Sequence, residues 1–181
     1  MSMSRSEKIF ADSTFYICFL DDISDPQYLL KFIEEFDFLL TPIVKKEIKK
    51  SENYRFIKEC KHISDLESVH NVGKILEPFF GTDEIKKGEH EVIGVAYIFY
   101  EMKMKFYFIL DESGPRAFVE RNFNYLCHFM IGTVKFVGMC YREFGIIPKS
   151  DALMLLRKIE KSRFRVTKDI LTEVREYIEV S

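Results

Sequence analysis

Four stretches of the chain place acids where an apolar core or a strand end is expected. FADST ends a short apolar strand at Asp12, TPIVKKEI carries Glu47, GEHEVIGVA carries Glu89 and Glu91, and FYFIL runs into Asp111. In open parallel sheets the ligand crevice lies outside the carboxyl ends of the strands, so Asp12 and Asp111 converge on one crevice if their strands are neighbours. Glu47 falls on the helical stripe marked by Ile43, Val44 and Ile48, and Glu89 and Glu91 stand directly ahead of Val92, Ile93, Val95 and Ala96. A carboxylate facing a core is costly unless it is paired or binds a metal. Each acid has an ordinary alternative. Asp12 and Asp111 can cap helices, Glu47 can pair with Lys50, and Glu89 and Glu91 can occupy a first helical turn, where the dipole favours negative charge. Taken together, carboxylates brought close repel one another unless a divalent cation supplies the compensating charge. Oxygen ligands favour Mg²⁺ or Mn²⁺, and such a site suits phosphoryl chemistry.

The elements that would position these acids alternate between strand and helix. KIFA reads as a buried strand running into Asp12, followed by a helix through Phe15, Ile17, Phe19 and Leu20. Asp25-Pro26 caps and opens YLLKFIEEF, DFLL is strand-like, and Thr41-Pro42 opens PIVKKEIKK, since proline is tolerated in a first helical turn. From Ser51 to Phe80 the apolar spacing predicts helix. KKGEHEVIGVAYIFYEM is apolar enough to predict a helix buried on more than one side. FYFIL has the continuous apolar run of a strand covered on both faces. It turns through Ser113-Gly114-Pro115 into the helix RAFVERNF. A short strand around CHFMI and a helix from Gly132 to Phe144 follow. The alternation predicts an α/β fold, a three-layer sandwich around a mostly parallel sheet. The single domain spans 1–181, with its core at about 8–145 and a helical extension at about 146–181. In that extension one helix begins at Ser150 or Asp151, the chain breaks near Arg163-Phe164, and a second helix is capped by Thr167.

Composition narrows the function classes. A chain of 181 residues with 47% hydrophobic content can bury a core without disulfides or a structural metal. Aromatics make up 15%, dominated by Phe with no Trp, so most of them belong to the core. The net charge of −2 argues against nucleic-acid binding through bulk electrostatics; any such partner must be held locally. Cys18, Cys60, Cys127 and Cys140 form no C-x-x-C pair and make no ligand pattern with the histidines, so no zinc site is expected and the thiols read as reduced in a cytoplasm. No stretch has the length and apolarity of a signal peptide or a membrane span.

FADST, TPIVKKEI, GEHEVIGVA and FILDESGPR, in this order and spacing, resemble the motifs of the PIN domain, the metal-dependent nuclease family that includes VapC-type toxins. IGTVKFVGMCYREFGIIP and LLRKIEKSRFRVTKDILTEV are similar to the tail of one prokaryotic and archaeal branch, so the resemblance runs from about Lys8 to the C-terminus. It implies metal-binding or catalytic roles for Asp12, Glu47, Glu91 and Asp111, with Ser13 as a supporting hydroxyl and Glu89 in a supporting position. It implies a Mg²⁺- or Mn²⁺-dependent endoribonuclease of the kind that acts as toxin in a toxin–antitoxin pair, in which Glu47 orients or deprotonates the attacking water. Branch members commonly carry Asp-Asp where this chain has Asp111-Glu112. That departure opens a second reading, a PIN-like fold that no longer cuts and binds RNA or protein. Arg116, one helical turn past the strand end, can pair with Glu112 or meet a phosphate; Lys46 and Lys50 beside Glu47, and a basic run in the tail that includes Arg163 and Arg165, are further phosphate contacts or else solvated helix faces. Expected partners are an RNA substrate, an antitoxin protein and a second copy of the chain as a homodimer. The tail leucines Leu153, Leu155 and Leu156 are expected to pack on their own domain by default. An aspartyl phosphatase is a weaker option, because Thr14 stands where its second Asp would be.

Overall fold

The computed structural model describes residues 7–66, 72, 76–80 and 87–180. Strands β1 (Lys8–Ala11), β2 (Asp37–Leu40), β3 (Ile63–Asp65), β4 (Phe106–Ile109) and β5 (Met130–Ile131) form one sheet in the order β3-β2-β1-β4-β5. All neighbouring strands pair in parallel, with Ile9 opposite Phe38 and Phe10 opposite Phe108. From β1 the chain builds outward to β2 and β3, then returns to the other side of β1 for β4 and β5. The order therefore reverses between β1 and β4, the place where open parallel sheets hold ligands.

The helices are α1 (Ser13–Ile17, continued by a π turn at Cys18–Asp22), α2 (Pro26–Glu35), α3 (Pro42–Ile48), α4 (Arg55–Lys58) and α5 (Glu77–Phe80). They are followed by α6 (Gly88–Glu101), α7 (Ser113–Asn122) with a 3₁₀ segment at Asn124–Phe129, α8 (Thr133–Arg142), α9 (Lys149–Lys161) and α10 (Lys168–Glu179). Phenylalanine fills both interfaces between sheet and helices. On one face Phe38 of β2 stacks with Phe15 of α1 and meets Phe136 of α8 edge-on, and Phe136 meets Phe32 of α2. On the other face Phe10 of β1 packs against Phe99 of α6 and beside Phe106 and Phe108 of β4. Adjacent residues Ile9 and Phe10 are both fully buried, which is possible only for a strand covered on both faces. The result is the expected three-layer α/β sandwich.

Three local expectations are corrected. The stretch from Ser51 to Phe80 is not continuous helix: it contains the short α4 and then β3, the edge strand beside β2. Val69 and Ile75 of that stretch lie outside the described residues. The strand around CHFMI contracts to Met130–Ile131, because the residues before it wind into the 3₁₀ segment. Helix α9 starts at Lys149 after Pro148, and the Asp151 carboxylate accepts from the Tyr28 hydroxyl at 2.7 Å instead of capping its own helix. Thr167 does cap α10, accepting from the Ile170 amide at 3.3 Å.

The C-terminal helices pack on α8. Leu155, Leu156 and Ile159 of α9 and Leu171, Val174 and Ile178 of α10 are buried, while Leu153 remains partly covered. Gly138 of α8 lets α10 approach closely: a Cβ there would stand 2.9 Å from Val174 Cγ1 and 3.2 Å from Tyr177 Cδ1. Lys135 of α8 lies over the Tyr177 ring, 3.6 Å from its centre. Among the described residues no helix is long and apolar enough to cross a membrane.

Candidate functional site

Strand pairing brings Asp12 and Asp111 side by side. The Asp12 amide donates to the Ile109 carbonyl at 3.1 Å, extending the β1–β4 ladder one step beyond the strands. The two carboxylates therefore leave the sheet together at its reversal point. Asp12 caps α1, with Oδ1 accepting from the Phe15 amide at 3.1 Å, while its Oδ2 accepts from the Asp111 amide at 3.3 Å. Asp111 in turn accepts from Thr133 at the start of α8, from its amide at 2.8 Å and its hydroxyl at 2.5 Å. Both acids are thus caps, as the ordinary explanation holds, although Asp111 caps α8 and not the helix that follows it.

Capping does not explain why both are aspartates. Asn, Ser or Thr would cap as well without placing two charges together away from water. Asp12 is only 3% exposed. Burial raises its pKa well above the usual carboxylate range, and the charges of Asp111 and Glu89 raise it further against the pull of the two amides. Burial also raises Asp111, eased by the hydrogen bonds from Thr133 and the charge of Arg116. The Arg116 guanidinium donates to the Leu110 carbonyl at 2.7 Å, which anchors it beside Asp111 and not on Glu112. Glu112 is an exposed residue in the N-cap position of α7, where its side chain makes no capping bond.

The glutamates divide into two kinds. Glu47 and Glu91 cap each other's helices: Glu91 of α6 accepts from the Ile43 amide in the first turn of α3 at 2.8 Å, and Glu47 of α3 accepts from the Gly88 amide at the first turn of α6 at 3.1 Å. Thr41, expected to cap α3, holds the N-cap position without a capping bond, and Glu91 supplies the acceptor in its place. Lys50 is not the partner of Glu47. Glu91 is 4% exposed, and its pKa is raised by burial, eased by the nearby Thr41 hydroxyl and the Ile43 and Val44 amides. The Thr41 hydroxyl itself makes no well-formed hydrogen bond. Glu47 Oε2 is buried without a hydrogen-bond partner. Glu89, half-buried, is the glutamate whose charge Asp12 feels, and it lies in turn within the fields of Glu112 and Glu47. Burial is the largest cause of its own raised pKa. Glu91, to which the resemblance gives the metal-binding role, is tied to the frame of α3, and Glu89 is the glutamate whose charge reaches Asp12.

Ser13 is the first residue of α1 and is partly buried. Lys46 and Lys50 are exposed on and just beyond α3. Thr133 is the contributor that the sequence reading passes over. Its signal was a Gly-Thr pair opening a helix straight after a strand adjacent to β4, where capping donors face the crevice. Among the described residues no three of His, Cys, Asp or Glu gather closely enough to grip an ion as they stand.

Fold and crevice together define a parallel α/β protein with a buried and a partly buried aspartate paired at the strand-order reversal. Compared with known protein families, curated proteins and solved structures, the chain matches none.

Proposed function

We propose that this chain is a Mg²⁺- or Mn²⁺-dependent endoribonuclease of PIN type, with Asp12, Asp111 and Glu89 as the acidic centre. The observation that carries the reading is the pair of buried Asp12 and partly buried Asp111, two acidic caps where neutral ones would serve. The donor set fits the ion. Mg²⁺ keeps much of its water and binds through one or two carboxylates plus substrate phosphate oxygens, so a closed cage of three protein ligands is not required. A divalent cation held there would polarise the scissile phosphate and lower the pKa of a bound water.

In this reading the hydrogen bonds from Phe15, Thr133 and the Asp111 amide fix the carboxylates in one orientation, so that little rearrangement is needed when substrate arrives. Glu47, held by Gly88 through one oxygen, keeps the other without a protein partner and orients the attacking water with it. Arg116, anchored on Leu110, offers its remaining N–H groups to a phosphate. The toxin role, with an antitoxin and a second copy as partners, belongs to the same reading and rests on the sequence resemblance.

One observation favours the non-cutting alternative: every carboxylate oxygen of Asp12 and Asp111 already accepts a protein hydrogen bond. A single experiment separates the two. Labelled RNA is incubated with the protein in Mn²⁺, in EDTA, and with Asp12→Asn. Cleavage confined to wild type in Mn²⁺ supports the nuclease; RNA retained without Mn²⁺-dependent cutting supports the binding module. Cutting that survives EDTA or the substitution removes the proposed centre.

A further inference from the structure

A groove of about 1290 Å³ runs from Asp111 along α7 to the segment joining α9 and α10. It exceeds the roughly 300–1,000 Å³ of clefts that enclose small molecules. One wall is α7 with Arg116; the other is the joining segment, with Arg163, Arg165 and Val166. The Asp22 carboxylate accepts from Arg163 Nε at 3.0 Å, which pins this segment to the end of the π turn while the Arg163 side chain stays 78% exposed. Arg165 is exposed. Ile170, 44% exposed, adds an apolar surface at the same wall. Five acids also line the groove: Asp22 is taken by Arg163, Asp111 and Glu112 mark the reacting end, and Glu120 and Glu173 stand along its walls.

We infer that the segment joining α9 and α10 is a substrate-holding wall, in which Arg163 and Arg165 grip the phosphodiester backbone of an RNA strand whose scissile phosphate lies at Asp111. This rests on the nuclease reading and adds to it the part played by the C-terminal extension. The chain's net charge of −2 makes such local cations necessary, since no overall field would retain a polyanion. Arg163 contributes Nη groups not used by Asp22, and Arg165 contributes a whole guanidinium.

The test is binding of fluorescein-labelled single-stranded RNA in EDTA, followed by anisotropy over a series of KCl concentrations. It compares wild type, Arg165→Ala, Arg165→Lys, the double variant Arg163→Ala/Arg165→Ala, and Lys105→Ala, which precedes β4 at the end of the strands away from Asp111. For single strands the slope of log affinity against log salt is about −0.7 per phosphate neutralised. Arg165→Ala should flatten the slope by about 0.7 and the double variant by about 1.4, with Arg165→Lys restoring most of it and Lys105→Ala leaving it unchanged. Arg165→Ala touches no hydrogen bond in the fold, so it remains informative if loss of the Asp22 pair unfolds the double variant. An unchanged slope in Arg165→Ala, with wild type binding RNA and cutting it in Mn²⁺, overturns the wall and leaves the nuclease standing. Wild type that neither binds nor cuts RNA overturns both.

Discussion

At the scale of single residues, the centre is a set of carboxylates held above their usual pKa by burial and by one another. In the unfolded chain such groups titrate near ~4. The folded protein binds more protons across the window from there up to the raised values, so its ion-free stability falls as pH rises through that window. Asp12→Asn removes one buried charge. The melting temperature of wild type relative to this variant, in EDTA, should therefore fall as pH is raised from about 4 to 8. Adding Mn²⁺ should raise the melting temperature of wild type only, since an ion that binds the folded state alone must stabilise it. A wild-type advantage that grows with pH in EDTA would contradict the repulsion described here. Glu47 permits a second test. Glu47→Gln keeps an acceptor for Gly88 and should fold as well as wild type while losing cleavage, whereas Glu47→Ala should also lose about 1 kcal/mol of stability with its capping bond. Equal unfolding midpoints in urea for all three proteins would show that the bond to Gly88 contributes nothing.

At the scale of elements, the site depends on which face of α6 looks into the crevice. Glu89 and Glu91 are separated by about 200° around a helix of 3.6 residues per turn, so only one can face the aspartates. Their spacing was legible in the sequence; the rotation of α6 was not, because it is set by Gly88 seating against α3. A Cβ at Gly88 would stand 2.5 Å from Glu47 Oε2 and 2.9 Å from Val44 Cγ2. Gly88→Ala should cost about 1–3 kcal/mol and shift Glu89, seen as lost stability together with a weaker Mn²⁺-induced thermal shift. A variant as stable as wild type would show that the contact is soft. The aspartates were legible because strand ends and parallel alternation can be read from apolar runs. The edge strand β3 was not, since of Ile63, Ser64 and Asp65 only the isoleucine is partly buried, and its pairing with β2 is a tertiary contact. Thr41-Pro42 marked the start of α3 correctly, yet its cap comes from Glu91, far along the chain, which no local pattern reveals.

At the scale of the whole molecule, α9 and α10 do two things: they cover α8 and they close one side of the groove. Removing residues 149–180 would uncover the α8 surface against which Leu155, Val174 and Ile178 pack, and the truncated protein should bind the dye ANS and aggregate. Gly138→Leu is the milder probe: it should cost about 1–3 kcal/mol by forcing α10 away from α8, measurable by urea unfolding. It should leave the Asp12–Asp111 pair intact. An unchanged midpoint would mean that α10 can move aside freely. Asp12, Glu89 and Asp111 all precede Arg163 and Arg165 in the order of synthesis. A polypeptide still being translated therefore carries its acids on a half-built surface, and only the emergence of α9 and α10 completes the groove beside Asp111.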